Sequence, residues 1–146
     1  MEKEIRKLEC AIEHCNEVLN TCREESCYMA HLDLKNWLEE LVHIKSTSFY
    51  SLVVERTRQI EAEGFLVCSD KGYKDEELAL GAVTYALPES KREYYYGYPK
   101  FWPSNWCLHM WKPTPNNRLR ELCKAGALIM AEMDRLMNEK NLSIDE

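Results

Sequence analysis

The sequence lacks a C-x-x-C pair, a long apolar run and any excess of positive charge. Its seven cysteines, at 10, 15, 22, 27, 68, 107 and 123, are odd in number. Without paired-ligand spacing they support neither a disulfide framework nor a zinc finger. The apolar runs extend only a few residues, so no membrane span is expected, and Met1-Glu2-Lys3-Glu4 carries no apolar core of a secretory signal. The expectation is a cytoplasmic protein. Glycine and proline, five each, are too sparse for a disordered chain. A formal charge of −6 argues against wrapping a polymeric nucleic acid, because such affinity comes mainly from neutralising phosphates.

What is present is enough for a core: 146 residues, 45% of them hydrophobic, fit one domain or a small domain with a helical appendage. Ile5, Leu8, Ile12, Cys15, Leu19 and Cys22 step by 3 and 4, which places one apolar seam on a helix. Ala30, Leu34, Trp37, Leu41 and Ile44 repeat that spacing after a break at Glu24-Glu25-Ser26. Two such helices predict an antiparallel hairpin over 1–45, packed seam to seam. Cys22, Cys27 and His31 form a conceivable metal set there, with 27 and 31 on one helix face, but packing is the simpler role.

A boundary is expected at Ser46-Thr47-Ser48, leaving 46–146 as a compact helical domain. A third helix runs from Ser48 towards Gly64, which suits a C′ position. Its charged stretch Glu55 to Glu63 reads most simply as a solvated face. Phe65 to Lys74 reads as a loop, Asp75 as the cap of a helix from Glu76 to Leu87, and Pro88 as its stop. Residues 94–111 hold eight of the aromatics with two prolines and a glycine, so short strands or a packed aromatic loop are expected there. A last helix follows Pro113 and Pro115, with the seam Leu119, Leu122, Gly126, Ile129, Met133 and Leu136. Gly126 would admit a partner helix closely, and residues 138–146 look frayed. The fold class is mainly α, with an irregular or short β-stranded aromatic segment.

Charge is uneven. Residues 94–124 carry Lys100, Lys112, Arg118, Arg120 and Lys124 against Glu121 alone, a local balance of +4 in an acidic chain. A basic island of that size suits a compact anion better than a long polyanion. Flat rings stack on bases, and guanidinium groups grip phosphate. Trp102, Trp106 and Trp111 are therefore candidate stacking platforms, and Lys112, Arg118, Arg120 and Lys124 candidate phosphate contacts. Arg118 and Arg120 open the last helix, where unpaired backbone N–H groups also attract anions. The alternative is that the tryptophans simply form the core.

An ordered series of motifs adds to this. It comprises Glu55-Arg56-x-Arg58-Gln59-Ile60-x-x-Glu63-Gly64-Phe65, Asp75-x-Glu77-Leu78-Ala79 with Tyr85-Ala86-Leu87, Trp111-Lys112-Pro113, and Arg120-x-Leu122-x-Lys124-Ala125-Gly126-Ala127-Leu128-Ile129 with Ala131-Glu132 and Arg135-Leu136. Over roughly residues 50–137 the chain resembles a family of small phage and prophage proteins. The hairpin resembles a module appended to Firmicutes phage proteins, and the main domain is similar to phage anti-Thoeris proteins. That resemblance implies an oligomeric anti-defence protein that sequesters a cyclic nucleotide-type immune signal, such as a cyclic ADP-ribose isomer, without cleaving it. It adds Arg56 and Arg58 to the ligand candidates, and implies no cofactor, no metal and no catalytic residue. Phe65 departs from the pattern, standing where related chains often carry tryptophan.

Two other functions compete. An all-α, MazG-like nucleoside triphosphate pyrophosphohydrolase needs E-x-x-E and E-x-x-D carboxylate sets for magnesium. Glu76 and Glu77 are followed by Ala79, Leu80 and Gly81, and Glu132 by Asp134 one residue too early, so the set is incomplete. A protein-binding adaptor could act through the hairpin seams. Cys107 and His109 are neighbours without an arguable orienting partner, so no nucleophilic centre is expected.

Overall fold

The computed structural model describes residues 2–65 and 70–140. It is mainly α-helical, with five α-helices among those residues and one two-stranded antiparallel ribbon. The chain divides into two compact units, residues 1–50 and 51–146. The division falls inside a helix, five residues beyond the boundary expected from the capping cluster.

The first unit is a hairpin of α1 (Glu2–Thr21) and α2 (Glu25–Ser46). The α1 seam lies inward as its spacing requires, with Cys15 buried. The α2 seam does not. Leu34, Trp37 and Leu41 are exposed, Trp37 to 68%, while His31, Lys35, Leu38, Val42 and Lys45 are half-buried. These residues follow the same 4-3-4-3 rhythm one position later. Leu38 and Val42 widen the apolar arc of α2, so spacing alone could not choose which stripe turns inward. Lys45 ties the second stripe to α1 by an ion pair with Glu4 at 3.3 Å. At the turn, Cys27 Sγ lies 3.7 Å from His31 Nδ1, but that nitrogen is 2.9 Å from the Cys27 carbonyl oxygen. No group of three or more metal-ligating side chains occurs among the described residues.

The second unit is built on α3 (Ser48–Glu63, entering from the first unit), α4 (Glu77–Ala86) and α5 (Arg118–Lys140). α4 packs along α5. Its start differs from expectation. Glu76 occupies the N-cap position with φ of +59° and makes no side-chain cap bond. The Glu77 carboxylate instead accepts the Asp75 N–H at 2.8 Å and the Asn105 amide at 2.7 Å.

α5 turns the opposite way from its apolar seam. Leu119, Leu122, Ile129 and Met133 are exposed, Leu119 to 66%. The buried face is Glu121, Lys124, Ala125, Ala131, Glu132 and Arg135. Alanines let α4 approach closely, and the buried carboxylates are neutralised. Glu121 receives both guanidinium nitrogens of Arg92, at 2.5 and 3.2 Å, and Glu132 receives Arg135 at 2.6 and 2.9 Å. Gly126 admits no second chain at this point. A Cβ there would stand 2.6 Å from Leu52 of α3, so an internal contact takes the space.

The aromatic segment is both ribbon and packed loop. β1 (Tyr94–Tyr95) pairs with β2 (Tyr98–Pro99) in the register Tyr94 to Pro99 and Tyr95 to Tyr98. Tyr96 and Gly97 both take positive φ at the tip, the geometry of a tight two-residue hairpin turn. The ribbon's tyrosines face solvent. Trp102 and Trp106 instead join Leu78, Tyr85, Ala125 and Ala131 in the core. Residues 138–140, expected to be frayed, continue α5, while 141–146 and residues 66–69, with Cys68, lie outside the described residues.

Candidate functional site

Six of the nine candidate ligand residues line one cavity in the second unit: Arg56, Arg58, Trp102, Trp106, Lys112 and Lys124. The concavity spans about 590 Å³ counted out to its mouth.

The α3 charge run supplies one wall and is not a solvated face. Glu55, Arg56 and Gln59 are buried. Arg58 grips Glu55 with both arms of its fork, at 2.8 and 2.9 Å, and reaches Glu63 at 2.7 Å. Burial alone would push the Glu55 carboxyl up. The Arg58 fork outweighs it and holds Glu55 below the usual carboxylate range. Arg56 is held 2.6 Å from Asp70, both buried.

Aromatic rings form the opposite wall. Trp102 stands edge-on to Trp106 at 5.3 Å and to Tyr85 at 6.3 Å between centroids. Tyr73 meets Trp106 edge-on at 5.4 Å. The Trp106 ring lies so close to α4 that a Cβ on Gly81 would stand 2.8 Å from it. The Tyr85 hydroxyl accepts the Lys112 N–H at 3.1 Å, and burial pushes its pKa up to about 12. Phe65, Leu78, Met110 and Leu128 complete the apolar lining.

Lys124 is the unusual member. It is 7% exposed, and its ammonium donates to the Lys112 carbonyl oxygen at 2.6 Å and lies 5.4 Å from the Tyr85 ring centre. No carboxylate stands within 4.0 Å of it among the described residues, whereas Arg56, Arg58, Arg92 and Arg135 each have one. Burial lowers its pKa, and the nearby Arg120 lowers it further. The cavity thus holds a desolvated cation with no carboxylate in direct contact among the described residues; Glu55 and Glu121 attract it only from farther away, and burial outweighs them.

No protein-family model, curated protein or solved structure matches this chain.

Three candidates stand elsewhere. Trp111 packs on Tyr85 at 4.6 Å and carries the Arg92 guanidinium over its ring, outside the cavity lining. Arg118 donates to the carbonyls of Tyr85, Ala86 and Leu87 and so closes the end of α4. Arg120 is half-exposed, 3.5 Å from Glu55. The α5 amino terminus is partly capped from within, because the Asn117 side chain accepts the Arg120 N–H at 3.0 Å. Sequence reasoning missed Glu55, Gln59, Glu63, Asp70, Tyr73 and Tyr85 as lining residues. Glu55 and Glu63 could have been found from their i,i+3 and i,i+5 offsets to Arg58, and Tyr85 from the Tyr-Ala-Leu motif. Nothing in the sequence places Asp70 or Tyr73 beside them. The carboxylates of the pyrophosphohydrolase reading stand apart from this cavity: Glu77 engages Asn105 and Glu132 engages Arg135. Cys107 and His109 are both exposed.

Proposed function

We propose that this protein binds a phosphorylated, ring-bearing small molecule of the cyclic nucleotide class and holds it without cleaving it. The observation that carries the reading is Lys124, a buried cation with no carboxylate within 4.0 Å among the described residues, in a cavity walled by Trp102, Trp106 and Tyr85. A base held against these rings would stack on aromatic faces, an interaction worth about 1–3 kcal/mol per base in single-strand binders. Phosphate would then meet Lys124 and the more exposed Lys112, with Arg58 held to Glu55 and Glu63 as part of the wall. The resemblance to anti-Thoeris proteins supplies the role: a phage-encoded factor acting in the host cytoplasm that removes an immune signal, a cyclic ADP-ribose isomer or a cyclic oligonucleotide, from circulation. Self-association belongs to the same proposal. The exposed Leu119, Leu122, Ile129 and Met133, on either side of the Leu52 contact at Gly126, give α5 apolar surface of the kind that homo-oligomers bury.

Isothermal titration with cyclic ADP-ribose isomers and cyclic di- and trinucleotides tests the reading. Saturable heat with at least one, and its recovery intact by mass spectrometry, is expected. No heat with any of them overturns it, and pyrophosphate release in the presence of magnesium would replace sequestration by hydrolysis.

A further inference from the structure

The charged side chains that line the cavity leave an excess of one positive charge. Arg56 is matched by Asp70 at 2.6 Å, and Arg58 by Glu55 at 2.8 Å. Glu63 takes the remaining nitrogen of the Arg58 guanidinium at 2.7 Å and lies 3.6 Å from the Lys112 ammonium. Arg58 and Lys112 therefore share the two carboxylates of Glu55 and Glu63, and Lys124 alone adds to the balance of the lining. Leu66, Val67, Cys68 and Ser69 bring no carboxylate by their chemistry. Burial pushes the hydroxyls of Tyr73 and Tyr85 up, so both stay neutral near physiological pH. Arg120 stands 3.5 Å from Glu55 but outside the lining, with 43% of its side chain open to screening water.

A water-poor cavity with one excess cation discriminates by ligand charge. One negative charge brought inside is matched by Lys124. A second would find each other lining cation already held by a carboxylate, and an unmatched charge is costly there. A phosphodiester carries a single negative charge. A phosphomonoester approaches two at neutral pH, its second pKa being about 6, and a diphosphate bridge carries two on adjacent phosphorus atoms. We infer that the cavity admits one phosphodiester and turns away phosphomonoesters and diphosphates. This rests on the nucleotide-binding reading above. Within that class, cyclic oligonucleotides space their diesters so that one can enter alone. They are favoured over cyclic ADP-ribose isomers, whose charges share one bridge.

Titration of cyclic AMP against AMP, and of cyclic di-AMP against its linear product pApA, tests the selection. Each pair shares its bases, and only the linear member carries a terminal phosphomonoester. If that group enters only in its singly charged form, the two members bind alike near pH 5. The linear one should then be about tenfold weaker near pH 7 and about a hundredfold weaker near pH 8, a decade per unit above its second pKa. Taking the ratio within a pair at one pH cancels the protein's own titration. A ratio that does not grow with pH, a linear member silent even at the acid end, or tighter binding of the linear member overturns the selection while nucleotide binding stands. Tighter binding of a cyclic ADP-ribose isomer than of every phosphodiester also overturns it alone. Silence with every nucleotide removes both readings. Glu63→Gln keeps the shape of the side chain and frees Lys112, so it should bring the alkaline ratio back towards the acid one. An unchanged alkaline ratio in that folded variant overturns the charge assignment, and the pH series on the unaltered protein decides should the variant fail to fold.

Discussion

Lys124→Met separates a ligand-binding lysine from a structural one. Methionine keeps the length of the side chain and removes the charge. In the unliganded protein the ammonium has a hydrogen bond to the Lys112 carbonyl at 2.6 Å and no carboxylate within reach among the described residues. Losing a hydrogen bond from a charged donor costs about 1.5–3 kcal/mol. Relieving the desolvation of an unpaired buried ion returns several kcal/mol. The two nearly cancel, and the variant should unfold in urea at wild-type stability or up to about 1 kcal/mol above it. Ligand affinity should move the other way. A lost charge-assisted contact to phosphate of about 1.5–3 kcal/mol is roughly a 10- to 150-fold weaker Kd. The pH dependence carries a sign. Burial lowers the Lys124 pKa below 10.5 in the folded state, so the unfolded chain binds more protons between the two values. Stability of the unliganded protein therefore rises with pH across that window, relative to Lys124→Met, and its penalty is full below the folded pKa. Affinity for the anion falls over the same window as the ammonium deprotonates. A Lys124→Met protein destabilised by 2 kcal/mol or more, with unchanged ligand affinity, would refute the reasoning and make Lys124 a packing element.

Other parts of the second unit give sharper stability effects. Glu121→Gln leaves Arg92 buried without its counter-charge and should cost about 3–5 kcal/mol in urea unfolding. Burial raises the Glu121 carboxyl, but Arg92 outweighs it and the folded pKa lies below 4.5. This contribution is thus complete above the unfolded pKa and is lost as pH falls through the lower folded value, visible as an acid-unfolding limb that Glu121→Gln lacks. Gly81→Ala gains helix propensity of about 1 kcal/mol but drives a Cβ to 2.8 Å from a rigid indole. Overpacking of about 1–3 kcal/mol should win, with lower stability by calorimetry and weaker ligand binding because Trp106 must shift. Leu122→Glu with Ile129→Glu should leave circular dichroism intact and reduce the sedimenting mass to one chain; an unchanged mass refutes association through α5.

Helix existence was legible because 3-4 spacing survives in every long helix, and the Gly-Pro-aromatic segment announced its own irregularity. Helix orientation was not. On α5 apolar residues mark Leu119, Leu122, Ile129 and Met133, yet the chain buries Glu121, Glu132 and Arg135, since Arg92 and Arg135 neutralise the carboxylates. Arg92 lies twenty-nine residues from Glu121, a distance over which sequence patterns carry no pairing information. The same blindness hid the α3 wall. Glu55 and Arg58 belong to a charged stretch that reads as a solvated face, and only the fold reveals that they line one cavity with Tyr85, Trp102 and Trp106. For the cavity, residue types were readable and partner assignments were not. Arg118 had the right chemistry for phosphate, but the open end of α4 presented three carbonyls within its reach.

Those pairings bear on how an acidic chain would present the proposed anion site. The arginines near the cavity are largely committed, Arg56 to Asp70, Arg58 to Glu55 and Glu63, and Arg92 to Glu121, so they rigidify the wall more than they attract ligand. Committed pairs are close to neutral at a distance, so the outward field of a −6 chain is left to repel polyanions. Lys124 escapes this cancellation, and its field is confined to the low-dielectric interior, where a charge acts more strongly than at the surface. Only an anion small enough to bring its charge inside gains from it. On the proposed reading, selectivity for compact phosphorylated ligands over nucleic acid would follow from where the charge of Lys124 is placed, and not from how many positive residues the segment contains.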